Sequence, residues 1–275
     1  MDKLPPLKVF HALGSHRDED GPYYTEENLL PDWATQSDLL LQILRPWPGS
    51  AIGGQKDTLQ LWILKPGRQL YERVEILVLD GLITFPRFIT LGKEHLEEGI
   101  SQVKFDVKTE AGGFHESEAV IFTVDKRVPL DGQTPVKAVI DEELTYGAGV
   151  TKAYLKAHCY MVPVVIPVYE GQATGHLITV FCGGPDAPPV AVAVVRTPDP
   201  LNVPGGQAFP TVVPIPDYVF FSLANGTHML LYRIANRAGV QTVASKGVFI
   251  IVKHSGADAM NDTQDGGRRP PKPLR

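Results

Sequence analysis

Long apolar runs are missing from this 275-residue chain, and so is an excess of either charge. Its longest apolar stretches, such as residues 188–195, are far shorter than the roughly 20 residues needed to cross a bilayer as a helix. The opening residues, MDKLPPLKVF, carry no long apolar segment, so no cleavable secretory signal is visible and no membrane insertion is expected. A formal net charge of −5 excludes a general polyanion binder, and nucleic acid is not expected as a partner. Cysteine is nearly absent. Cys159 and Cys182 are the only two, which is too few to specify a metal site, and they are expected as free, buried thiols.

Catalytic signatures are missing too. There is no G-x-S-x-G nucleophile elbow. His115-Glu116 begins like a zinc-protease helix, but Ala119 stands where the second His belongs, and the setting reads as a β-turn. Gly147-Ala148-Gly149-Val150-Thr151-Lys152 lacks phosphate-loop spacing and has no clear helix pattern after it. The cluster Arg17-Asp18-Glu19-Asp20 lacks calcium-loop spacing and reads as a solvated turn. The eight histidines show no i, i+2 or i, i+4 pairing. No catalytic, cofactor-binding or metal-binding residue is assigned, and the binding residues remain unknown at this level. A carbohydrate-active enzyme would need carboxylates from both halves of the chain to converge in a cleft.

What is abundant is turn chemistry. Gly (26) and Pro (24) together make up about 18% of the chain, against roughly 12% in average usage, and they punctuate short apolar segments. Thr58–Leu64 (TLQLWIL) alternates with period two, RVEILVL at 73–79 is a second strand, and FPRFITL at 85–91 a third.

The chain also repeats itself. GISQVKFDVKTEAGGFHESEAVIFTV at 99–124 and GTHMLLYRIANRAGVQTVASKGVFIIV at 226–252 align at a spacing of 127 residues. Gly99 falls on Gly226, Phe105 on Tyr232, Val107 on Ile234, Ala111 on Ala238 and Gly112 on Gly239. One extra residue then brings Ser117 onto Ser245, Val120 onto Val248 and Val124 onto Val252. In the second copy His228, Leu230, Tyr232 and Ile234 share one face of a strand, and Asn236-Arg237-Ala238-Gly239 is a turn in which Gly239 takes positive φ. Upstream, Ile178-Thr179-Val180-Phe181 answers Leu59-Gln60-Leu61-Trp62, and Gly171-Gln172 answers Gly54-Gln55.

The expected architecture is all-β: two tandem immunoglobulin-like β-sandwich domains of about seven short strands each. A divergent copy spans 1–126 and a second spans 127–254, the boundary lying at Asp125–Leu130 (DKRVPL). Residues 255–275 are almost devoid of apolar side chains and are expected to be a disordered basic, Pro-rich tail. The tail's last residues fit PxxPxR as a coincidence of composition.

The chain resembles the tandem immunoglobulin-like repeat proteins of pseudomonads and related proteobacteria. The residues that carry this are Val165-Ile166-Pro167-Val168-Tyr169-Glu170-Gly171-Gln172, residues 177–184, and Asn225-Gly226. They continue through Leu231-Tyr232-Arg233-Ile234, Asn236-Arg237-Ala238-Gly239 and Ser245. The match covers roughly 130–252, and the first half departs from it: Phe105 replaces the Tyr, and Cys182 and Ile63 stand where such repeats often have an aromatic residue. The resemblance implies a non-enzymatic surface, adhesive or spacer role. Its partners would be protein or glycan ligands, with no cofactor, and it would sit at the cell surface or be exported by a non-Sec route. The loops at 183–189 and 197–206 are the candidate recognition segments.

Overall fold

A computed structural model describes residues 3–14, 24, 26–50, 56–80, 83–184, 188–197 and 208–254. The first half contains β1 (Lys8–Val9), β2 (Leu29–Leu30), β3 (Leu39–Ile43), β4 (Lys56–Leu64), β5 (Glu72–Asp80) and β6 (Arg87–Leu91). It ends with β7 (Gly99–Lys108), β8 (Phe114–Glu116) and β9 (Val120–Val124). Two short helices, α1 (Glu142–Tyr146) and α2 (Lys152–Ala157), open the second half. They are followed by β10 (Met161–Ile166), β11 (Leu177–Gly183), β12 (Val190–Arg196), β13 (Thr211–Pro216), α3 (Asp217–Phe221), β14 (Gly226–Ala235) and β15 (Val248–Val252).

The two halves follow one path. In the first, the larger sheet runs β5-β4-β7-β9, with β2 on its edge and β8 beside β7, and it faces the sheet β1-β3-β6. In the second, β12-β11-β14-β15 faces β10-β13. Both are antiparallel sandwiches in which the chain crosses between sheets and returns, the immunoglobulin-like plan. The parallel pairing of β2 with β9 has its counterpart in a single parallel bridge from Val150 to Val252.

The register repeats residue for residue. Leu61 pairs with Phe105 and Val180 with Tyr232, while Gly99 pairs with Val124 and Gly226 with Val252. Each larger sheet also has one irregularity against its edge strand, between Leu61 and Trp62 in one copy and between Val180 and Phe181 in the other. These are aligned positions, so the bulge is a feature of the repeat. The aligned serines behave alike. The Phe105 N–H donates to Ser117 Oγ at 3.0 Å, and the Tyr232 N–H donates to Ser245 Oγ at 2.9 Å. In return, the backbone N–H of each serine donates to the carbonyl of the same aromatic residue.

Period-two alternation places Leu59, Leu61, Ile63, Val103, Phe105 and Val107 in one core against Leu39, Leu41, Ile89 and Leu91. The equivalent residues Ile178, Val180, Cys182, Leu230, Tyr232 and Ile234 pack against Val162, Val164, Val213 and Ile215 in a second core that shares no residue with the first. Burying each such side chain stabilises the fold by about 1.5–3 kcal/mol.

Some local expectations are corrected. The described residues hold nine strands in the first half and six in the second rather than about seven each. His115 and Glu116 lie in β8, not in a turn. A helix does follow the Gly147–Gly149 loop: α2, with Thr151 Oγ1 accepting from the Tyr154 N–H at 3.1 Å. At six residues it is too short to register as a periodic pattern. In the second copy the counterpart of β8 is reduced to an isolated antiparallel bridge between Ala235 and Gln241, beside which Thr242 Oγ1 accepts from the Ile234 N–H at 3.1 Å. The 255–275 tail and Arg17-Asp18-Glu19-Asp20 lie outside the described residues.

Candidate functional site

Two places concentrate polar side chains. The first lies where the halves meet. The turn at 236–239 closes with the Gly239 N–H donating to the Asn236 carbonyl at 3.0 Å, and Gly239 takes φ +96°. Rather than facing solvent, this turn grips the first half. Asn236 Nδ2 donates to the carbonyl of Asp125, at the end of the first half, at 3.4 Å, and to that of Arg127, in the junction, at 3.0 Å. The Asp32 N–H donates to the Ala238 carbonyl at 2.7 Å. The Arg237 side chain is 7% exposed; it bonds Glu26 at 2.9 Å and the Gly14 carbonyl at 3.2 Å, and lies 3.6 Å over the Tyr24 ring.

Beside this contact is a cleft of about 140 Å³ lined by carboxylates from both halves, Glu26 and Asp125 from one and Asp131 and Glu170 from the other. Glu26 is held by Arg237, and Asp125 by Arg127 at 3.2 Å. Two of the four carboxylates are thus matched by cations within the contact itself. His176 is buried in the wall, its Nδ1 2.9 Å from the Tyr169 hydroxyl. Burial lowers the His176 pKa and raises that of Tyr169. These features make the cleft a joint.

The second place is the outer face of the larger sheet in the first half. Trp62 is half-buried at its centre, with Arg73 of β5 and Lys104 of β7 as its cross-strand partners. The indole N–H donates to Asp106 Oδ2 at 2.6 Å, and Asp106 Oδ1 is buried with no partner among the described residues. Burial raises the Asp106 pKa, partly offset by the Trp62 hydrogen bond. Glu116, opposite Asp106 in the register, is bonded to Lys104, which lowers the Glu116 pKa. Lys104 also lies 4.4 Å over the Tyr71 ring, whose hydroxyl donates to Gln102 Oε1 at 2.8 Å. Arg73 Nη1 donates to Gln60 Oε1 at 3.3 Å. In the second half the same face carries Thr179 and Phe181 on β11 and Met229, Leu231 and Arg233 on β14, with Arg233 5.5 Å over Phe181.

Both cysteines are free; Cys182 is buried, with its thiol pushed up to about 11, but Cys159 is exposed, correcting the expectation for that residue. Residues 185–187 and 198–207, the centres of the two candidate loops, lie outside the described residues. Among the described residues no group of three or more His, Cys, Asp or Glu is placed to hold a metal ion. Among the described residues no helix is long and apolar enough to cross a membrane.

The fold defines a tandem immunoglobulin-like β-sandwich protein. No family model matches the chain, and no curated protein does. Among solved structures it is similar to part of a 1.5-MDa bacterial ice-binding adhesin studied for host cell surface retention, at 11% identity and TM-score 0.37. The likeness covers 90% of this chain and 64% of that one. Fibronectin(III)-like modules of Clostridium thermocellum CbhA match at 9% identity and TM-score 0.40, over 96% of this chain and 98% of that one. Extracellular domains 3–5 of Drosophila OTK match at 11% identity and TM-score 0.23, over 91% of this chain and 67% of theirs.

Proposed function

We propose that this is a non-enzymatic binding or adhesion protein, with sandwich domains at 1–126 and 127–254 held in a fixed relative orientation. The outer sheet face around Trp62 is its recognition surface. The observation that carries the reading is the contrast between two equivalent faces. One copy presents Thr179, Phe181, Met229, Leu231 and Arg233, while the other sets a tryptophan, two amides and both signs of charge on its strands, with a tyrosine beside them. Recognition hot spots are enriched in Trp, Tyr and Arg, and this face carries one of each. The joint supports a fixed presentation, because the Arg237 guanidinium is nearly buried and bonds a residue 211 positions away in the chain.

The test is surface plasmon resonance of the full chain against arrays of immobilised glycans and extracellular proteins. Saturable binding to a defined subset supports the reading, and flat traces from a folded chain oppose it. The rigid joint also favours a second reading, a spacer or receptor-binding component of an exported assembly. Fractionation separates the two. A binding protein of the surface is found on intact cells, whereas a component of an assembly reaches the medium only when its secretion machinery is intact.

A further inference from the structure

We infer that the face centred on Trp62 binds a neutral oligosaccharide, an inference that rests on the binding role proposed above and names its ligand class. The side chains concerned are Gln60, Trp62, Tyr71, Arg73, Gln102 and Glu116, all wholly or partly exposed on strands of one sheet or next to it. Cross-strand pairing sets them in rows. Arg73, Trp62 and Lys104 form one, and Gln60, Asp106 and Glu116 the next, so planar amide, guanidinium and carboxylate groups surround an aromatic centre.

A pyranose ring offers the complementary pattern. Its C–H face packs on an indole or phenol ring, and its rim of hydroxyls both donates and accepts. Gln60 and Gln102 can do both as well, Arg73 donates, and Glu116 accepts. Charge decides the class of sugar. Around Trp62 the two cations, Lys104 and Arg73, are balanced by two carboxylates, Glu116 and Asp106, with Lys104 paired to Glu116 and Arg73 bonded to the neutral Gln60, so the face offers little net positive charge to a phosphate or a uronic acid. A neutral polyol gives and takes hydrogen bonds here without stranding a charge. The groups are also pre-positioned, since Trp62 is fixed by Asp106, Tyr71 by Gln102 and Arg73 by Gln60, which reduces the ordering cost of binding. The second half lacks the amides and the carboxylate at these positions and serves as an internal control.

The experiment is a fluorescence titration of the full chain, in a Trp33→Phe background because Trp33 is also exposed. The probes are cellohexaose, maltohexaose and mannohexaose, with an oligogalacturonate as the anionic control. At least one neutral probe should change Trp62 emission saturably. Calorimetry should then show Trp62→Ala weakening that binding about tenfold, Gln60→Ala weakening it severalfold, and Phe181→Ala leaving it unchanged. Gln60→Ala removes only a partly exposed amide, so it decides the matter if Trp62→Ala does not fold. Binding that survives both Trp62→Ala and Gln60→Ala, or that only the anionic probe shows, overturns the inference. Absence of any response to sugars, while the chain still binds cells or proteins, overturns the ligand class and leaves the binding role standing. Absence of both overturns the two together.

Discussion

Replacing Arg237 with alanine should loosen the joint without disturbing either core. The guanidinium is nearly buried, makes a 2.9 Å ion pair with Glu26 and a 3.2 Å bond to the Gly14 carbonyl, and stacks on Tyr24. Hydrogen bonds involving a charged group contribute about 1.5–3 kcal/mol each, and a partly desolvated cation–π contact about 1. Glu26 is one-third exposed and regains water once its partner is gone, so the pair is discounted toward the surface range. The net loss at the joint is therefore about 2–3 kcal/mol. None of the three partners belongs to either hydrophobic core, so the loss falls on the coupling between domains. Residual dipolar couplings measured on the full chain should fit one alignment tensor in the wild type and need two in Arg237→Ala. Arg237→Lys keeps the charge but loses the fork and the planar stack, and should fall between them. A single shared tensor in Arg237→Ala, with unfolding free energy within 0.5 kcal/mol of wild type, would refute the latch.

The aligned serines give a second expectation. Ser117→Ala and Ser245→Ala each orphan a buried backbone N–H, so each should cost about 1–3 kcal/mol and speed hydrogen exchange at Phe105 or Tyr232 respectively. Two glycines separate strain from clash. Gly112→Ala meets open space at φ +86° and should cost about 1 kcal/mol in denaturant melts, whereas Gly149→Ala adds a Cβ 2.5 Å from the Ile251 carbonyl and should cost clearly more. Asp106 sets a pH dependence. Its folded pKa is raised, so its contribution is fully present below the unfolded value near 3.8 and is lost as pH rises through the folded value. The melting temperature of Asp106→Asn minus that of wild type should therefore increase from pH 3 to pH 7, and a flat difference would contradict the burial argument.

How much of this was legible depended on the range of the interaction. Phe105 and Tyr232 could be placed at the centre of matching strands because alternation is local and the repeat doubled the signal. The turn at 236–239 was legible from Asn and Gly alone. That Arg237 grips Glu26 was not, since no local pattern links residues 211 apart. Trp62 was visible as a strand aromatic. Its setting among Arg73, Lys104 and Asp106 follows from register and from a bulge beside it, which the sequence does not display. The helices at 142–157 escaped notice because five or six residues do not complete two turns, and their caps, Asp141 and Thr151, are meaningful only once a helix is suspected. The contrast between the two outer faces needed both registers before it could be drawn.

The central claim is that the chain binds something as a rigid pair, and flow cytometry of the labelled full chain on intact cells tests it most directly. The account predicts saturable, competable binding that weakens when Arg237→Ala releases the joint. A folded, β-rich chain that binds no cell type over background at micromolar concentration would contradict it.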